Sequence, residues 1–373
     1  MEIFLLCSYR SIRQHTVSIP VISQEKVEQL VGKTCDVVVS RLACQHQLSP
    51  VFVAQKSQPS SRPSNKQELL VTSVFQSSVV SLDAQGNIAR EKMLTGYQLT
   101  NLRYFKQHGR YIVTVQNGET VNLFRRGNLQ KIVHQSAHKL DKRLDNNIEG
   151  IGSWITGNNE KILFINTHKE VVQIVLGSRF PTKVLMTEAA DVQLCAGRKP
   201  IVLKTNGDLV DLGSQFCYSL PRPKKEAEIF THLRVIGHAA VALSYISSNQ
   251  NHYQARYTNT VTLVDLLAGE IRDTLVLGQE TSVIRSIIHF TWNKVGFLCF
   301  TSKSNLMTIC AFSRSKIMTL MHSKMPAGID AKISYPAENI TGCCHLSDNK
   351  FLITTDKSKL CMAELYWPSV IAK

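Results

Sequence analysis

Long apolar runs are missing from this 373-residue chain. None approaches the ~18–20 residues that a membrane-crossing helix needs. The opening ten residues, "MEIFLLCSYR", have a short apolar stretch, no basic segment before it and no small-residue cleavage site, so they read as a strand and not as a signal peptide. Acidic residues are scarce: 28 Asp and Glu stand against 43 Lys and Arg, a formal charge of +15. That excess favours acidic partners, whether nucleic acid, an anionic membrane or an acidic protein. The basic residues are dispersed, however, and a solvated basic surface is the plain alternative.

Catalytic signatures are missing as well. There is no G-x-S-x-G, no P-loop, no H-E-x-x-H and no EF-hand loop. The few carboxylates form none of the close pairs that acid–base glycoside chemistry needs. The expectation is a protein that is not an enzyme and holds no cofactor. No C-x-x-C occurs among the ten cysteines, and most of them sit in apolar runs such as "GFLCF" and "MTICAF". They read as reduced core residues of a nuclear or cytosolic protein. Cys343-Cys344-His345 comes nearest to a metal cluster. In a strand, 343 and 345 share one face and 344 points away. Zinc needs three or four convergent ligands, so no metal is expected there. Cys44 and His46 read the same way.

What the chain has in abundance is strand signal. One short helix is expected at residues 23–32, "SQEKVEQLVG", with Ser23 as N-cap and Gly32 as the stop. Elsewhere an apolar strand, a polar turn and an alternating strand recur. The copies lie at 69–83, 110–124, 160–175, 199–213, 239–267, 295–310 and 350–365. Their spacing of ~40–55 residues is that of propeller blades. The first strand of each copy is almost continuously apolar, as a strand buried on both faces must be. Its partner alternates, as suits a strand nearer the rim. Asn117-Gly118 and Asn206-Gly207 read as hairpin turns in which both positions accept positive φ. "QKIVHQ" and "TLVLG" supply further strands for four-stranded blades.

The fold class expected is therefore all-β, a seven-bladed β-propeller over residues 1–373, with two β-sandwiches as the rival. The last hairpin lacks a following strand. Residues 2–7 or 15–22 are expected to supply it and close the ring, because an open sheet edge invites aggregation. Residues 55–68, "QKSQPSSRPSNKQE", are expected to be a disordered surface loop. Residues 134–147 read as a solvated loop with alternating charges. In period and hairpin form the chain resembles the WD-repeat superfamily, over residues 35–367. It departs from that pattern: no Trp-Asp pair ends a blade and no Gly-His pair opens one.

Phe124-Arg125-Arg126-Gly127 resembles the F/L-R-R-G motif of the PROPPIN family of phosphoinositide-binding propellers. The resemblance implies that Arg125 and Arg126 grip phosphate, which the rigid donor fork of arginine suits well. In that family the motif lies after the fourth or fifth blade, whereas here it follows the second hairpin. A turn with two solvated arginines and a glycine at positive φ is the reading preferred. Arg222, Lys224 and Lys225 in "SLPRPKKEAE" form a second candidate anion site. "NLRYFKQHGRY" (101–111) interleaves aromatic and basic residues as base-stacking surfaces do, and also as an inner strand would. The function expected is a scaffold subunit with protein partners in a multiprotein complex, nuclear or cytoplasmic and without a membrane partner. The alternative is a propeller that binds a phosphate-bearing ligand, nucleic acid or phosphoinositide.

Overall fold

The computed structural model describes residues 36–41, 52–55, 67–72, 77–82, 88–93, 102–108, 111–116, 120–125, 130–136, 141–144, 148–156, 159–175, 183–193, 200–213, 217–220, 228–248, 255–280, 282–292, 295–302, 306–313, 315–324, 340–347, 349–355 and 360–366. They form seven antiparallel sheets of four strands each. Strand β1 is Asp36–Arg41. The first sheet in sequence then holds β2 (Phe52–Gln55), β3 (Gln67–Thr72), β4 (Ser77–Leu82) and β5 (Ile88–Met93). The second holds β6 (Leu102–His108), β7 (Tyr111–Gln116), β8 (Thr120–Arg125) and β9 (Gln130–Ser136). The third holds β10 (Ile148–Thr156), β11 (Asn159–Asn166), β12 (Val171–Val175) and β13 (Lys183–Met186). The fourth holds β14 (Ala189–Gln193), β15 (Ile201–Lys204), β16 (Asp208–Asp211) and β17 (Cys217–Ser219). The fifth holds β18 (Ile229–Ile236), β19 (Ala239–Ser247), β20 (Tyr257–Asp265) and β21 (Glu270–Glu280). The sixth holds β22 (Ile284–Trp292), β23 (Val295–Ser302), β24 (Leu306–Phe312) and β25 (Ile317–Lys324). The last holds β26 (Ile340–Ser347), β27 (Lys350–Thr355) and β28 (Leu360–Tyr366), with β1 as its fourth strand.

The seven hairpins of the sequence are the second and third strands of these sheets. Burial explains why they were the visible part. Every residue of β24 is buried, and so are the first six of β19. Such strands touch a neighbouring sheet on both faces and must be apolar throughout. The fourth strand β21 alternates instead, with Arg272, Thr274 and Val276 exposed between half-buried residues. The core lies between adjacent sheets. One cluster joins Phe297, Cys299 and Ile309 of the sixth sheet to Phe351, Ile353 and Leu365 of the last. Another joins Val241 and Leu263 of the fifth sheet to Phe300 and Phe312 of the sixth.

First strands meet around the axis. Each of β2, β6, β10, β14, β18 and β22 packs beside the next, and β26 packs against β2. Polar side chains clamp neighbouring sheets together. The Leu233 amide on β18 donates to Asp191 Oδ2 on β14 at 2.8 Å. The Ile284 amide donates to Oδ1 of the fully buried Asn259 at 3.1 Å. Near the rim the Ile317 amide donates to Asp273 Oδ2 at 2.8 Å. Each clamp satisfies a backbone donor that would be costly to bury unpaired.

Four expectations change. The closing strand is Asp36–Arg41, further along the chain than either segment proposed, and it pairs with β28 from Asp36↔Tyr366 to Arg41↔Cys361. Residues 2–7, 15–22 and the helix expected at 23–32 lie outside the described residues. The loop expected at 55–68 is too wide: Gln55 belongs to β2, while Gln67 and Glu68 belong to β3 and pair with Leu82 and Ser81. A ladder uses backbone groups, so polar side chains did not exclude these residues from it; residues 56–66 lie outside the description. Within 134–147, residues 134–136 end β9, and Lys142–Leu144 form a short 3-10 turn. Asp141 pairs with Arg143 at 2.6 Å, and Leu144 is fully buried, so this stretch is not simply a solvated loop.

The fourth change concerns a turn. Gly207 has φ +92, whereas Asn206 is not at positive φ. Gly207 donates its amide to Lys204 O at 3.0 Å, and Asn206 Oδ1 accepts from the Asp208 amide at 2.9 Å. This is a turn of ordinary hand followed by one left-handed glycine. A Cβ at Gly207 would lie 2.6 Å from Cε2 of Phe230, a core ring 1% exposed. Gly207→Ala therefore adds left-handed strain to overpacking and should cost about 2–4 kcal/mol. Urea unfolding should show it as a lower midpoint, with Gly213→Ala on the exposed side of the same sheet close to wild type.

Candidate functional site

Arg125 is the last residue of β8, opposite Tyr111 on β7 and Gln130 on β9. Arg126, Arg222, Lys224 and Lys225 lie outside the described residues. Their chain neighbours stand far apart in the topology. Third strands run parallel to first strands within an antiparallel sheet, so β8 ends on the face opposite the one where β18 begins. The strand end before Arg126 and the strand start after residues 222–225 therefore lie on different faces of the ring. Residues 102–108 of the aromatic and basic stretch are the inner strand β6.

Cys343 and His345 sit on β26, opposite Ile353 and Phe351 on β27. The Cys343 thiol packs in the core, and its hydrogen bond with Cys299, together with burial, holds it well above the usual thiol range. Burial likewise pushes Cys310 up to about 12. Thiols held neutral in this way are poor nucleophiles and poor metal ligands. The His345 ring stacks on Phe290 at 4.7 Å and tilts against Phe351 at 5.1 Å. Among the described residues no group of three or more His, Cys, Asp or Glu converges as a metal site.

A different set of polar groups comes together on the inner strands. Asp191 on β14, Arg234 on β18, His289 on β22 and His345 on β26 are all half-buried and occupy four successive first strands. Asp191 is committed to the backbone: its Oδ1 accepts from the Val192 amide at 2.7 Å, and its Oδ2 from Leu233. Burial lowers the Arg234 guanidinium, and the Asp191 charge partly offsets this. Burial, with the positive fields of Arg234 and His345, pushes His289 down to about 4. The His289 ring meets Phe312 edge-on at 5.6 Å, and its Nε2 is buried with no hydrogen-bond partner among the described residues.

These residues carry no sequence motif, because each stands alone in its repeat. Their shared signal is position. Arg234 lies five residues before β19, His345 five before β27 and His289 six before β23. Aligning first strands on their hairpins would have brought them to within one residue of each other, with His289 on the alternate face.

No protein-family model matches the chain, and no curated protein matches it in sequence. Solved structures do match in shape. The N-terminal domain of Nup159 shares 11% identity at a TM-score of 0.52, over 89% of this chain and 96% of its own. The β-propeller domain of Cps50 (Swd1) from Myceliophteria thermophila shares 10% at 0.55, over 88% and 99%. A chain of the mitotic checkpoint complex shares 10% at 0.51, over 88% and 94%. Identities this low speak for architecture alone. Together with the seven sheets and the ring of first strands, they make the fold of this chain a β-propeller.

Proposed function

We propose that this chain is a non-enzymatic interaction scaffold within a multiprotein assembly. The observation that carries the reading is the ring itself. First strands close on one another, and buried polar clamps tie sheet to sheet, so the connecting turns are held on a frame that deforms little. Such a frame presents preorganised surfaces on two faces and a rim, which lowers the entropic cost of docking. Among solved structures of like shape, one chain belongs to the mitotic checkpoint complex, and that neighbour's setting is the analogy for this one. Among the described residues no helix is long and apolar enough to cross a membrane. The setting proposed is nuclear or cytoplasmic, with proteins as the main partners and the +15 charge favouring acidic ones.

The test is affinity capture from the native cell followed by size-exclusion chromatography of the eluate. Stoichiometric partners that comigrate with the chain are the expected result. Elution as a free monomer, with no partner at comparable abundance, would refute the reading.

A further inference from the structure

The chain has two Asn-Gly pairs, and Asn206-Gly207 is the one that lies among the described residues. An Asn-Gly bond is open to a reaction with water alone, because glycine has no side chain to block it. The glycine nitrogen bonds to the asparagine side-chain carbonyl carbon, the bond from that carbon to the amide nitrogen breaks, and ammonia leaves with the glycine proton. Water then opens the cyclic imide to aspartate or to its β-linked isomer. In this turn the reacting groups are all committed elsewhere. The attacking group, the amide of buried Gly207, donates to Lys204 O at 3.0 Å. The leaving nitrogen, Asn206 Nδ2, donates to Asp208 Oδ2 at 2.8 Å. Asn206 Oδ1 accepts from the Asp208 amide at 2.9 Å. Further bonds hold the turn itself. Ser219 Oγ on β17 donates to Asp208 Oδ1 at 2.7 Å, the Leu220 amide to Gly207 O at 3.1 Å, and the Phe230 amide on β18 to Thr205 O at 3.3 Å.

We infer that Asn206 is a one-way modification site gated by this turn: closed to deamidation while the turn is formed, open once it opens, and unable to rebuild the turn after conversion. Aspartate at 206 would set a carboxylate against Asp208 where Nδ2 now donates, so a hydrogen bond becomes a pair of like charges. The β-linked isomer adds a backbone carbon between 206 and 207. That shift would carry Gly207 out of a place where a Cβ would already lie 2.6 Å from the Phe230 ring. Both products therefore loosen the hairpin of the fourth sheet and its seam with the fifth. The step consumes one water, releases one ammonia and is not reversed, so time spent in the locally open state accumulates as covalent change.

The test incubates the full chain at mildly alkaline pH, folded and in guanidinium chloride above the unfolding midpoint, and follows Asn206 by peptide mapping with the two products separated. Conversion should run about tenfold or more slower in the folded chain. Asp208→Ala keeps the Asn-Gly bond but removes the acceptor of Nδ2, and should speed conversion in the folded state. Asn206→Asp, which copies the product, should lower the urea midpoint. Asn206→Ser keeps an oxygen for the Asp208 amide without the charge, and should stay closer to wild type. If Asp208→Ala does not fold, the comparison of folded with unfolded wild type and the Asn206→Asp midpoint decide. Equal rates in folded and unfolded chains, no conversion in the unfolded chain, a folded Asp208→Ala no faster than wild type, or an unchanged Asn206→Asp midpoint would each overturn the inference.

Discussion

Deletion of residues 1–41 is expected to abolish cooperative unfolding and to make the protein self-associate. The deletion removes β1, whose six residues all pair with β28. Without it β28 becomes an open edge, with Cys361, Met362, Ala363 and Leu365 of that strand now in the core. An unpaired, apolar edge is a template for pairing with another chain. The whole six-residue ladder with β28 goes with it, and a typical domain is held together by only ~5–15 kcal/mol. The ring makes the loss general, since the last sheet packs on the first through β26 and β2. The check is urea unfolding with light scattering. Appending residues 35–42 after Lys373, so that residues 367–373 serve as the connection, should restore the transition. A deletion variant that keeps the original midpoint and slope would show that β1 does not close the ring.

The hairpins were legible because their physics is local. A strand buried on both faces must be apolar, its partner alternates, and a polar turn joins them within a few residues. Val241–Leu243 against Val261–Leu263 shows the pattern at full strength. The closing strand is non-local: nothing in "DVVVSR" says that its partner lies over 300 residues away, and hydrophobicity alone drew the choice to earlier segments. Leu144 was missed because it is a single apolar residue among charges, and only the ring shows that it fills the space between two sheets. The turn at 205–207 carried the right dipeptide but not the expected hand, because its register left one extra residue for Gly207 to absorb.

The candidate site was hidden for a related reason. Phe124-Arg125-Arg126-Gly127 drew attention because four residues in a row form a word. Arg234, His289 and His345 are single letters more than fifty residues apart, and no local rule joins them. They come onto successive inner strands only when first strands meet around the axis. The unusual electrostatics of Arg234 and His289 also arises there, from burial between sheets and from fields across sheets. A repeat architecture writes its surfaces one residue per repeat, so a search for contiguous motifs passes over them.

Acidification should therefore weaken this protein through His289 in a defined window. The folded imidazole titrates at about 4, below the value of 6.5 it has when unfolded. Arg234 from β18 and His345 from β26 are the titratable groups that act on it, while Phe312 from β24 presents a ring edge. Asp191 enters through Arg234 from β14. Above pH 6.5 both states are neutral and the group is silent. Between 6.5 and about 4 the unfolded state binds the proton and the folded state does not, so stability falls as the pH falls. Below about 4 both are protonated and this contribution levels off. The total loss from this group is of order 3 kcal/mol. His289→Phe removes the titration and the unpartnered nitrogen while keeping a ring against Phe312. Carboxylates titrate in both proteins, so the measurement is the stability difference between variant and wild type in phosphate-free buffer across pH. The variant should gain on the wild type by up to that amount from pH 7 to 4. A difference that stays constant across the range would mean that His289 keeps an ordinary pKa, and that neither burial nor Arg234 holds it neutral.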